Sequence, residues 1–378
     1  MAFKKHTNNS FFGDFLYESI IPKNHFLKVA REAIDWDRFT KKLLKHYKGK
    51  AEVGRAPYNP SILLRMLFVS YLYNISERQL EESVNFNLPV KYFVGLGVDE
   101  KSPDHSTLTY FKERLLGGGS LTLEKIFTEL IIQAKKLGVE FGQIQIVDAT
   151  HTHADINIDR DNGRKKKGKQ SVDKDARWGV KHNKKVKDDN GNIYTQKQCF
   201  LGYKTHSSLN EKTGIVTSLK VSPGNKYDGH YFPSLVKKDQ RKKLLPLKTQ
   251  KRLKDQERKI IYACDRGYDD GENHTFLEEK NLGDAIKVVS TRLTKKDKNK
   301  DIWIKLTQSD NYQKGLEVRY KVERKFGESK KHHGFGRAKY RSLNKYNLQA
   351  NFTFMALNLK EILKITAGIR LKSGPITL

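Results

Sequence analysis

The stretch IIYACDRGYDD, residues 260–270, places an acid directly after an apolar segment. Residues 260–264 have the short, apolar character of a buried strand, Asp265 follows at once, and Gly267 allows the chain to turn. Two explanations compete. Asp265 caps a turn, or the strand delivers a carboxylate to the edge of a sheet, where open α/β sheets bind their ligands. The rest of the sequence decides between them.

A second acid follows another apolar segment upstream. Asp148 comes directly after IQIV, residues 144–147, so the pattern predicts a strand that ends in a carboxylate. The carboxyl ends of such strands collect at one edge of the sheet, and we therefore expect Asp148 and Asp265 to lie near each other. Taken alone, either acid is explained as well by turn chemistry.

A third acid, Glu323, lies in GLEVRYKVERKFG, residues 315–327, a segment that the pattern predicts to be helical. Arg319 stands four residues before it and Lys330 seven residues after it. These offsets put the three side chains on one helix face, where the acid can hold a metal and the cations can hold phosphates. The competing explanation is an ordinary surface ion pair between Arg319 and Glu323, worth about 0.3–0.5 kcal/mol.

The composition points to a polyanionic partner. In 378 residues, 73 Lys and Arg oppose 43 Asp and Glu, which gives a formal net charge of +30. Such an excess opposes folding through self-repulsion. Nucleic acid is the favoured polyanion, because each neutralised phosphate releases counterions. A lysine-rich proteome would also raise the charge without any ligand.

Nothing in the sequence predicts export or a membrane span. No apolar run reaches the length of a spanning helix, and the N-terminal segment lacks the apolar core of a signal peptide. The two cysteines, Cys199 and Cys264, form neither a disulfide framework nor a metal-type pair. We therefore expect a reducing, cytoplasmic environment and no membrane partner.

Residues 1–138 are predicted to form an all-helical domain. YNPSILLRMLFVSYLYNI, residues 58–75, repeats apolar side chains at helical spacing, and Ser76 with Gln79 forms a capping box for the next helix. SPDHSTLTYFKERL, residues 102–115, begins a further helix at its Pro-Asp pair. This order resembles a helix-turn-helix, although three packed helices without a DNA contact explain it equally well. The apolar positions expected on one face of the first helix are Ile62, Met66, Val69 and Tyr73.

Residues 139–365 are predicted to form an α/β catalytic domain, because short apolar strands and hairpins alternate with helical segments. Within it, residues 160–192 are basic, contain Gly and Asn and lack an apolar period, so we expect a basic loop. Residues 366–378 are expected to be a C-terminal tail.

Four segments occur together in the order and spacing of one protein family. They are IVDATHTHAD, FLGYKTHSSLNEKTGIVTSLKVSPGNKYDG, YACDRGYDD and RYKVERKFGESK, preceded by the helical segments above. In this combination the chain resembles the DDE transposases of bacterial insertion sequences, in the group around insertion-sequence families 4, 5 and 1182, from about residue 15 to residue 365. The resemblance implies a ribonuclease H-like catalytic domain with a mixed sheet, preceded by an all-helical N-terminal domain.

Carried over by position, the acids that the resemblance implies as catalytic residues and metal ligands are Asp148, Asp265 and Glu323. The family's signature around the glutamate is Tyr, two residues, Arg, three residues, Glu, six residues, Lys. Arg319 and Lys330 fit this signature, but Leu316 stands at the tyrosine position. The resemblance therefore implies that Asp265, which follows the strand predicted at residues 260–264, holds a metal.

The resemblance also implies the reaction and the partners. Two Mg²⁺ ions, for which Mn²⁺ can substitute, would support cleavage of a DNA strand and attack of the freed 3′-hydroxyl on target DNA. The partners would be double-stranded DNA, both the element's terminal inverted repeats and the target, and a second copy of the chain in a homodimer at the bacterial nucleoid. Two alternatives stay open: a ribonuclease H-like nuclease that does not transpose, and a catalytically inactive DNA-binding descendant.

Basic residues are the candidates for DNA contact. GRKKKGK, residues 163–169, is expected to lie on phosphates, although a solvated loop explains it too. The residues predicted to bind DNA are Arg319, Lys330, Lys165, Lys166, Lys167 and Arg114.

Histidines and tryptophans give weaker signals. His151 and His153 invite a transition-metal site, but zinc takes three or four ligands, and a DNA-facing or positioning role is favoured. Asp228 and His206 are expected either near the site or in a purely structural role. Two tryptophans are expected in the core rather than stacked on DNA bases, namely Trp178 and Trp303.

Overall fold

The computed structural model describes residues 3, 11–47, 56–187, 193–244, 259–294 and 297–371. These residues belong to two compact units. Where described, unit 1 consists of residues 1–139, 332–334 and 351–378, and unit 2 consists of residues 140–331 and 335–350. The division into functional domains that we predicted stays a proposal; the compact units differ from it in that the chain from residue 351 onward joins unit 1.

Unit 1 is helical throughout its secondary structure, within the described residues. The capping box of Ser76 and Gln79 is present, and Asp104 caps the helix that the Pro-Asp pair was predicted to begin. Both predicted helix starts are confirmed. The elements are α1 (Phe11–Ile20), α2 (Phe26–Ala33), α3 (Trp36–Leu43), a 3₁₀ turn (Leu44–Tyr47), α4 (Pro60–Tyr73), α5 (Glu77–Phe86), α6 (Leu88–Val94), α7 (His105–Gly117) and α8 (Ser120–Lys136).

Helix α4 lies at the centre of unit 1 and is buried on every side. Ile62, Met66 and Val69 are buried as predicted, but the expectation of a single apolar face was too narrow. Since α3, α5, α6 and α7 all pack against this helix, it has no solvent face to keep polar. The further buried apolar residues of α4 are Leu63, Leu64, Leu67, Phe68, Tyr71 and Leu72.

Unit 2 contains one mixed sheet. Across the sheet the strand order is β4-β3-β1-β5-β6, and β2 pairs with the other end of β3. β3 is antiparallel to β1 and β4, whereas β5 and β6 run parallel to β1. This order and these directions are those of the ribonuclease H-like fold, so the predicted fold class is confirmed. The strands are β1 (Ile144–His153), β2 (Arg177–Lys187), β3 (Ile193–Asn210), β4 (Val216–Pro223), β5 (Ile261–Cys264) and β6 (Gly283–Ile286).

Some of the helices from residue 158 onward pack against this sheet. The helix at residues 310–318 packs closely on β5 and β6, and this packing depends on its Gly315. A Cβ at that position would collide with the Cβ of Ala285 and lie 3.3 Å from the Cβ of Ala263. The helices are α9 (Ile158–Lys166), α10 (Phe232–Lys242), α11 (Gly271–Glu279), α12 (Lys300–Thr307), α13 (Asp310–Val318), α14 (Tyr320–His332) and α15 (Leu343–Ala367). Gly315 belongs to α13. None of the described helices has the length and apolar character needed to cross a membrane.

Helix α15 is shared by the two units. Its residues 343–350 belong to unit 2, and the residues from 351 onward belong to unit 1. There the ring of Phe352 stacks on Tyr71 of α4 at 5.5 Å between centroids and meets Phe68 edge-on at 5.9 Å. The predicted tail, residues 366–378, therefore begins inside a helix, and its residues 372–378 lie outside the described residues.

The prediction of a basic loop at residues 160–192 was wrong for most of its described residues. They include most of α9 and all of β2, whereas residues 188–192 lie outside the described part of the chain. Polar contacts, not an apolar period, stabilise α9. The Asn157 side chain accepts a hydrogen bond from the Arg160 N–H at 3.0 Å, and Lys165 pairs with Asp161 at 2.9 Å.

The predicted helix at residues 315–327 is divided in two. α13 ends at Val318 and α14 begins at Tyr320, with Arg319 between them. The N–H of Arg319 donates to the carbonyl of Leu316 at 3.3 Å, three residues back, so the chain tightens here into a 3₁₀-like turn.

Candidate active site

The sheet directs two of the predicted acids to one edge. β5 is the parallel neighbour of β1, and their pairing extends to Ala263. Asp265 follows the end of β5, and its Oδ1 accepts a hydrogen bond from the Gly267 N–H at 2.8 Å. Asp148 lies two residues beyond the last parallel pair of β1, and its Oδ1 accepts from the Ala149 N–H at 2.8 Å. Both acids thus stand just past the point where the parallel pairing stops.

The predicted end of the first strand was wrong, because β1 continues beyond Asp148 to His153. Its later part pairs with β3, carries an isolated parallel bridge from His153 to Arg337, and consists mostly of polar residues. Thr152 is fully buried there: its Oγ1 donates to the carbonyl of Phe335 at 3.0 Å and accepts from the hydroxyl of Tyr346 at 2.8 Å. Because these buried residues are hydrogen-bonded rather than apolar, hydropathy gave no sign of the strand.

Negative charge accumulates around Asp148. Burial, and then the charge of Asp265, raise the pKa of Asp148 to about 7, and Asp228 contributes in the same direction. Burial likewise raises the pKa of Asp228, with a further contribution from Asp265. Arg319 opposes this charge, because its Nη1 lies 3.8 Å from Oδ2 of Asp148. The site therefore holds carboxylates that partly repel each other and would be stabilised by an added cation.

Glu323 stands in the first turn of α14. Its carboxylate accepts a hydrogen bond from Nη2 of Arg319 at 2.7 Å, and its side chain is 57% exposed. Since Arg319 also approaches Asp148, one guanidinium lies between the exposed acid and the buried one. The predicted alternative, an ordinary surface ion pair, fits the contact between Arg319 and Glu323. It does not account for the approach of Arg319 to Asp148, whose side chain is mostly buried.

The donor chemistry of these acids fits hard divalent cations. All three offer carboxylate oxygens, which Mg²⁺ prefers. They are not drawn together into one closed cage: among the described residues, the only set of three possible ligand atoms within 4.8 Å of one another belongs to Glu81, Asp104 and His105 of unit 1. Two ions shared among several carboxylates need no such cage, because water and phosphate complete their coordination.

Lys204 is a residue of this region that the sequence analysis missed. Its Nζ donates to Asp228 Oδ1 at 2.9 Å and to the carbonyl of Lys226 at 3.0 Å. Nδ1 of His206 lies 3.6 Å from the same Asp228 oxygen, while its Nε2 is 2.8 Å from the Ser222 hydroxyl. Burial lowers the pKa of His206 to about 3, so the ring is neutral. Alternating polar residues in GYKTHSS were the available signal.

The two acids that end the quoted stretch are structural. Asp270 caps α11 by accepting from the Asn273 N–H at 2.9 Å. The buried ring of His274 contacts Asp269 at 3.1 Å and Asp284 at 2.5 Å, one carboxylate on each nitrogen. Burial alone would lower the pKa of His274, but these two acids outweigh it and raise the pKa to about 9. This charged network fixes the chain four residues beyond Asp265.

The predicted DNA-binding cations lie in different places. Lys330 is half-buried on α14, and burial together with Lys181 lowers its pKa. Lys165 is held by Asp161, whereas Lys166 and Lys167 are exposed at the end of α9. In unit 1, the guanidinium of Arg114 lies 4.7 Å from the ring centroid of Tyr47. Their contacts with DNA stay predictions.

The histidine and tryptophan expectations have mixed outcomes. The rings of His151 and His153 meet edge-on at 5.6 Å, and both lie near Phe200, at 4.9 and 6.1 Å. Trp303 is 7% exposed, as expected of a core residue. The same expectation was wrong for Trp178, which is 50% exposed on β2.

Comparison with known proteins identifies the family of the chain. The family model "Transposase domain (DUF772)" matches residues 15–114, and the model "Transposase DDE domain" matches residues 140–359, more than half of the chain. The chain is also similar to a piggyBac transposase synaptic complex with hairpin DNA (10% identity, TM-score 0.48, 92% of this chain and 76% of that one). A second similar structure is a pre-cleavage Mos1 transpososome (9% identity, TM-score 0.22, 94% and 91%). With TM-scores below 0.5, these structures do not by themselves establish a shared fold. The family match does establish the relationship: the chain belongs to the DDE transposases.

Proposed function

We propose that this transposase cuts DNA at the ends of its own element and joins the freed 3′-hydroxyl to target DNA, with Asp148, Asp265 and Glu323 as metal ligands. The observation that carries the proposal is the charge state of Asp148. A largely buried carboxylate that feels the charge of Asp265 and is opposed by Arg319 at 3.8 Å favours the binding of a cation. The family match supports a reaction on DNA.

The metal we propose is Mg²⁺, as two ions, with Mn²⁺ as a substitute. When bound, such ions lower the pKa of a water and stabilise the charge on the attacking and leaving oxygens of a phosphodiester. The residues of the chain would hold these ions and orient the carboxylates that bind them. Backbone N–H groups fix the carboxylates of Asp148 and Asp265, and the network of His274 and Asp269 keeps the turn after β5 in place.

Cations near the acids would hold the DNA backbone. Arg319 lies between Asp148 and Glu323, so a metal that takes both carboxylates frees its guanidinium for a phosphate. Lys330, on the same helix as Glu323, would hold a flanking phosphate. Lys204 neutralises Asp228 and so limits the acidic charge that the site carries before DNA arrives.

Double-stranded DNA is the proposed partner, both as terminal inverted repeats and as target. The net charge of +30 supports this choice. Transposition requires that both ends of the element be paired and cut. We therefore propose that a homodimer acts on the two ends, at the nucleoid. Arg114 in unit 1 and Lys165, Lys166 and Lys167 in unit 2 are proposed as further contacts to the backbone.

The test is cleavage of a labelled duplex that carries the element's end, in Mg²⁺ or in EDTA, by the wild type and by Asp265→Asn. We expect metal-dependent nicking at the end, abolished in the variant, while binding measured by mobility shift persists. Undiminished cutting by the variant would falsify the ligand set. Cutting that ignores the end sequence would indicate a ribonuclease H-like nuclease, and binding without cutting would indicate an inactive descendant.

A further inference from the structure

β2 and the first part of β3 form a two-stranded ribbon, which we define as residues 177–187 and 193–202 and call the ribbon. Its strands pair from Arg177 with Gly202 to Lys187 with Ile193. Beyond Gly202, β3 runs between β1 and β4 in the main sheet. The ribbon is therefore an extension of the strand that pairs with β1.

Outside its buried base, the ribbon is exposed on both faces where the structure describes its side chains. Successive side chains of a strand point to opposite faces, so a run of neighbouring exposed residues means that neither face is covered. Such runs occur at 177–178, 180–181 and 195–197. Three large apolar side chains of the ribbon are exposed to solvent: Trp178 is 50%, Val180 52% and Ile193 70% exposed. An isolated two-stranded ribbon is only marginally stable in water, so this one gains from a partner.

The base of the ribbon is tightly packed. A Cβ on Gly202 would collide with the carbonyl oxygen of Thr152 in β1, and a Cβ on Gly179 would collide with the carbonyl oxygen of Gly224. The N–H of Gly224 also donates to the carbonyl of Gly202 at 2.9 Å. Close backbone packing at these three glycines fixes the direction in which the ribbon leaves the sheet.

The charge of the ribbon identifies the partner. Within residues 177–187 and 193–202 the sequence has six Lys and Arg and no Asp or Glu; Asp188 and Asp189 follow next in the sequence but lie outside the described residues. An acidic, extended surface is therefore the complementary one. The major groove of a DNA duplex admits a two-stranded ribbon and has phosphates on both walls, which suits a ribbon exposed on both faces.

One lysine of the ribbon, Lys181, interacts electrostatically with Lys330 of α14. The pairing of β2 with β3 shifts register between Val180 and His182, so Lys181 occupies an irregularity that can re-aim its side chain. Burial is the largest cause that lowers the pKa of Lys330 on α14 and the pKa of His153 on β1. The positive charge of Lys181 lowers both pKa values further. Within the described residues, neither Lys181 nor Lys330 has an ion pair with an acid, so an anion between the two lysines would relieve their repulsion.

We propose that the ribbon lies in the major groove of the duplex that continues beyond the active site, and that Lys181 and Lys330 together hold one backbone phosphate. The inference rests on the proposed function, since it takes the DNA held at Asp148 as its starting point. Its own basis is independent of the metal site: exposed side chains on both faces, and the absence of acids from residues 177–187 and 193–202.

The strand geometry gives the expected reach. Gly202 is five residues and Ile193 fourteen residues along β3 from Ser207, the partner of Asp148. At roughly 3.4 Å per residue, these positions lie at most about 17 Å and about 48 Å from Ser207, which pairs with Asp148. With roughly 3.4 Å per base pair, the ribbon would cover about 5 to 14 base pairs counted from the scissile phosphate.

The test compares salt dependence in matched triple variants. One variant combines Lys181→Ala, Lys187→Ala and Lys197→Ala in the ribbon. The control combines Lys212→Ala, Lys280→Ala and Lys298→Ala, three exposed lysines elsewhere in unit 2. Affinity for an end duplex with 20 base pairs on each side of the cut is measured by fluorescence anisotropy between about 50 and 200 mM salt. We expect the slope of log K against log salt to become shallower by about 2.7 in the ribbon variant, about 0.9 for each lost phosphate contact, and to be unchanged in the control.

Duplex length and tryptophan fluorescence give two further readouts. On a duplex with only about 4 base pairs beyond the cut, wild type and ribbon variant should bind alike, because that DNA ends before the ribbon begins. Trp36 and Trp303 are 6% and 7% exposed, so acrylamide quenching reports mainly Trp178. The long duplex should protect this tryptophan, and Trp178→Phe should abolish the DNA-dependent change.

The outcomes separate the two proposals. A wild type that binds no duplex overturns both. A wild type that cuts the element's end, with an unchanged salt slope in the ribbon variant, overturns the ribbon inference alone. Loss of self-association in the ribbon variant without a change in slope also overturns it, and would assign the ribbon to a contact between copies. Circular dichroism and thermal unfolding of each variant identify any that fail to fold.

Discussion

Replacing Asp148 by Asn should stabilise the metal-free protein at neutral and alkaline pH while removing a proposed metal ligand. The folded protein raises the pKa of this carboxyl from its ordinary value of 3.8 to about 7. A raised acid pKa means that the folded state holds the proton more tightly than the unfolded chain does. Stability is therefore lost as pH rises from about 4 to about 7, and the loss is complete above that.

The size of the effect follows from the same shift. About three pKa units at about 1.36 kcal/mol each give an upper limit of about 4 kcal/mol. We expect Asp148→Asn to raise the free energy of unfolding by about 2–4 kcal/mol at pH 8, and by little at pH 4, where the acid is neutral in both states. Added Mg²⁺ should narrow the difference at pH 8, because it binds the wild type better.

The assay is urea unfolding followed by the fluorescence of Trp303, which is buried in unit 2. Trp36→Phe and Trp178→Phe in the background leave this tryptophan as the only reporter. Glu323→Gln is the matched control: its 57% exposed carboxylate predicts a change within about 0.5 kcal/mol at every pH. A difference between Asp148→Asn and wild type that does not vary with pH, or that is absent at pH 8, would refute the reasoning.

Three further predictions concern unit 2. Burial opposes the charge of His274, but Asp269 and Asp284 raise its pKa from 6.5 to about 9. The stability that the charged ring contributes is fully present below about pH 6.5 and is lost as the pH rises through about 9. The wild type should therefore lose up to about 3 kcal/mol over that window, whereas unfolding of His274→Gln should show no such slope. Gly315→Ala should destabilise by about 1–3 kcal/mol through its collision with Ala285, as measured by urea unfolding. Gly327→Ala, on α14 with nothing within 4 Å of the new Cβ, should instead stabilise by about 0.5–1 kcal/mol, and equal effects of the two substitutions would contradict the packing argument.

The two aspartates of the candidate site, Asp148 and Asp265, were accessible to sequence reasoning because each followed a hydrophobic pattern. Asp265 follows four buried residues, so the end of its strand was predicted correctly. Asp148 was found for the same reason, although its strand continues for five residues. The continuation is held by buried hydroxyls and backbone pairing, which leave no hydropathy signal.

The ribbon escaped prediction for a related physical reason. A strand is recognised by alternation between a buried and an exposed face, and the ribbon has no buried face over much of its length. Its basic, Gly- and Asn-containing sequence therefore has the composition of a loop. Lys204 was missed because its partner, Asp228, is 24 residues away in the sequence and only the hairpin of β3 and β4 brings them together.

The membership of residues 351–367 in unit 1 has a consequence for protein synthesis. Helix α4 emerges from the ribosome early, but the ring of Phe352 that stacks on Tyr71 emerges only after some 280 further residues. During translation, the apolar surface that faces Phe352 must therefore wait while the whole of unit 2 is made. A nascent or truncated chain that stops before this helix would expose that surface, so a fragment of residues 1–139 alone is a candidate for chaperone binding or proteolysis rather than a free-standing DNA-binding domain.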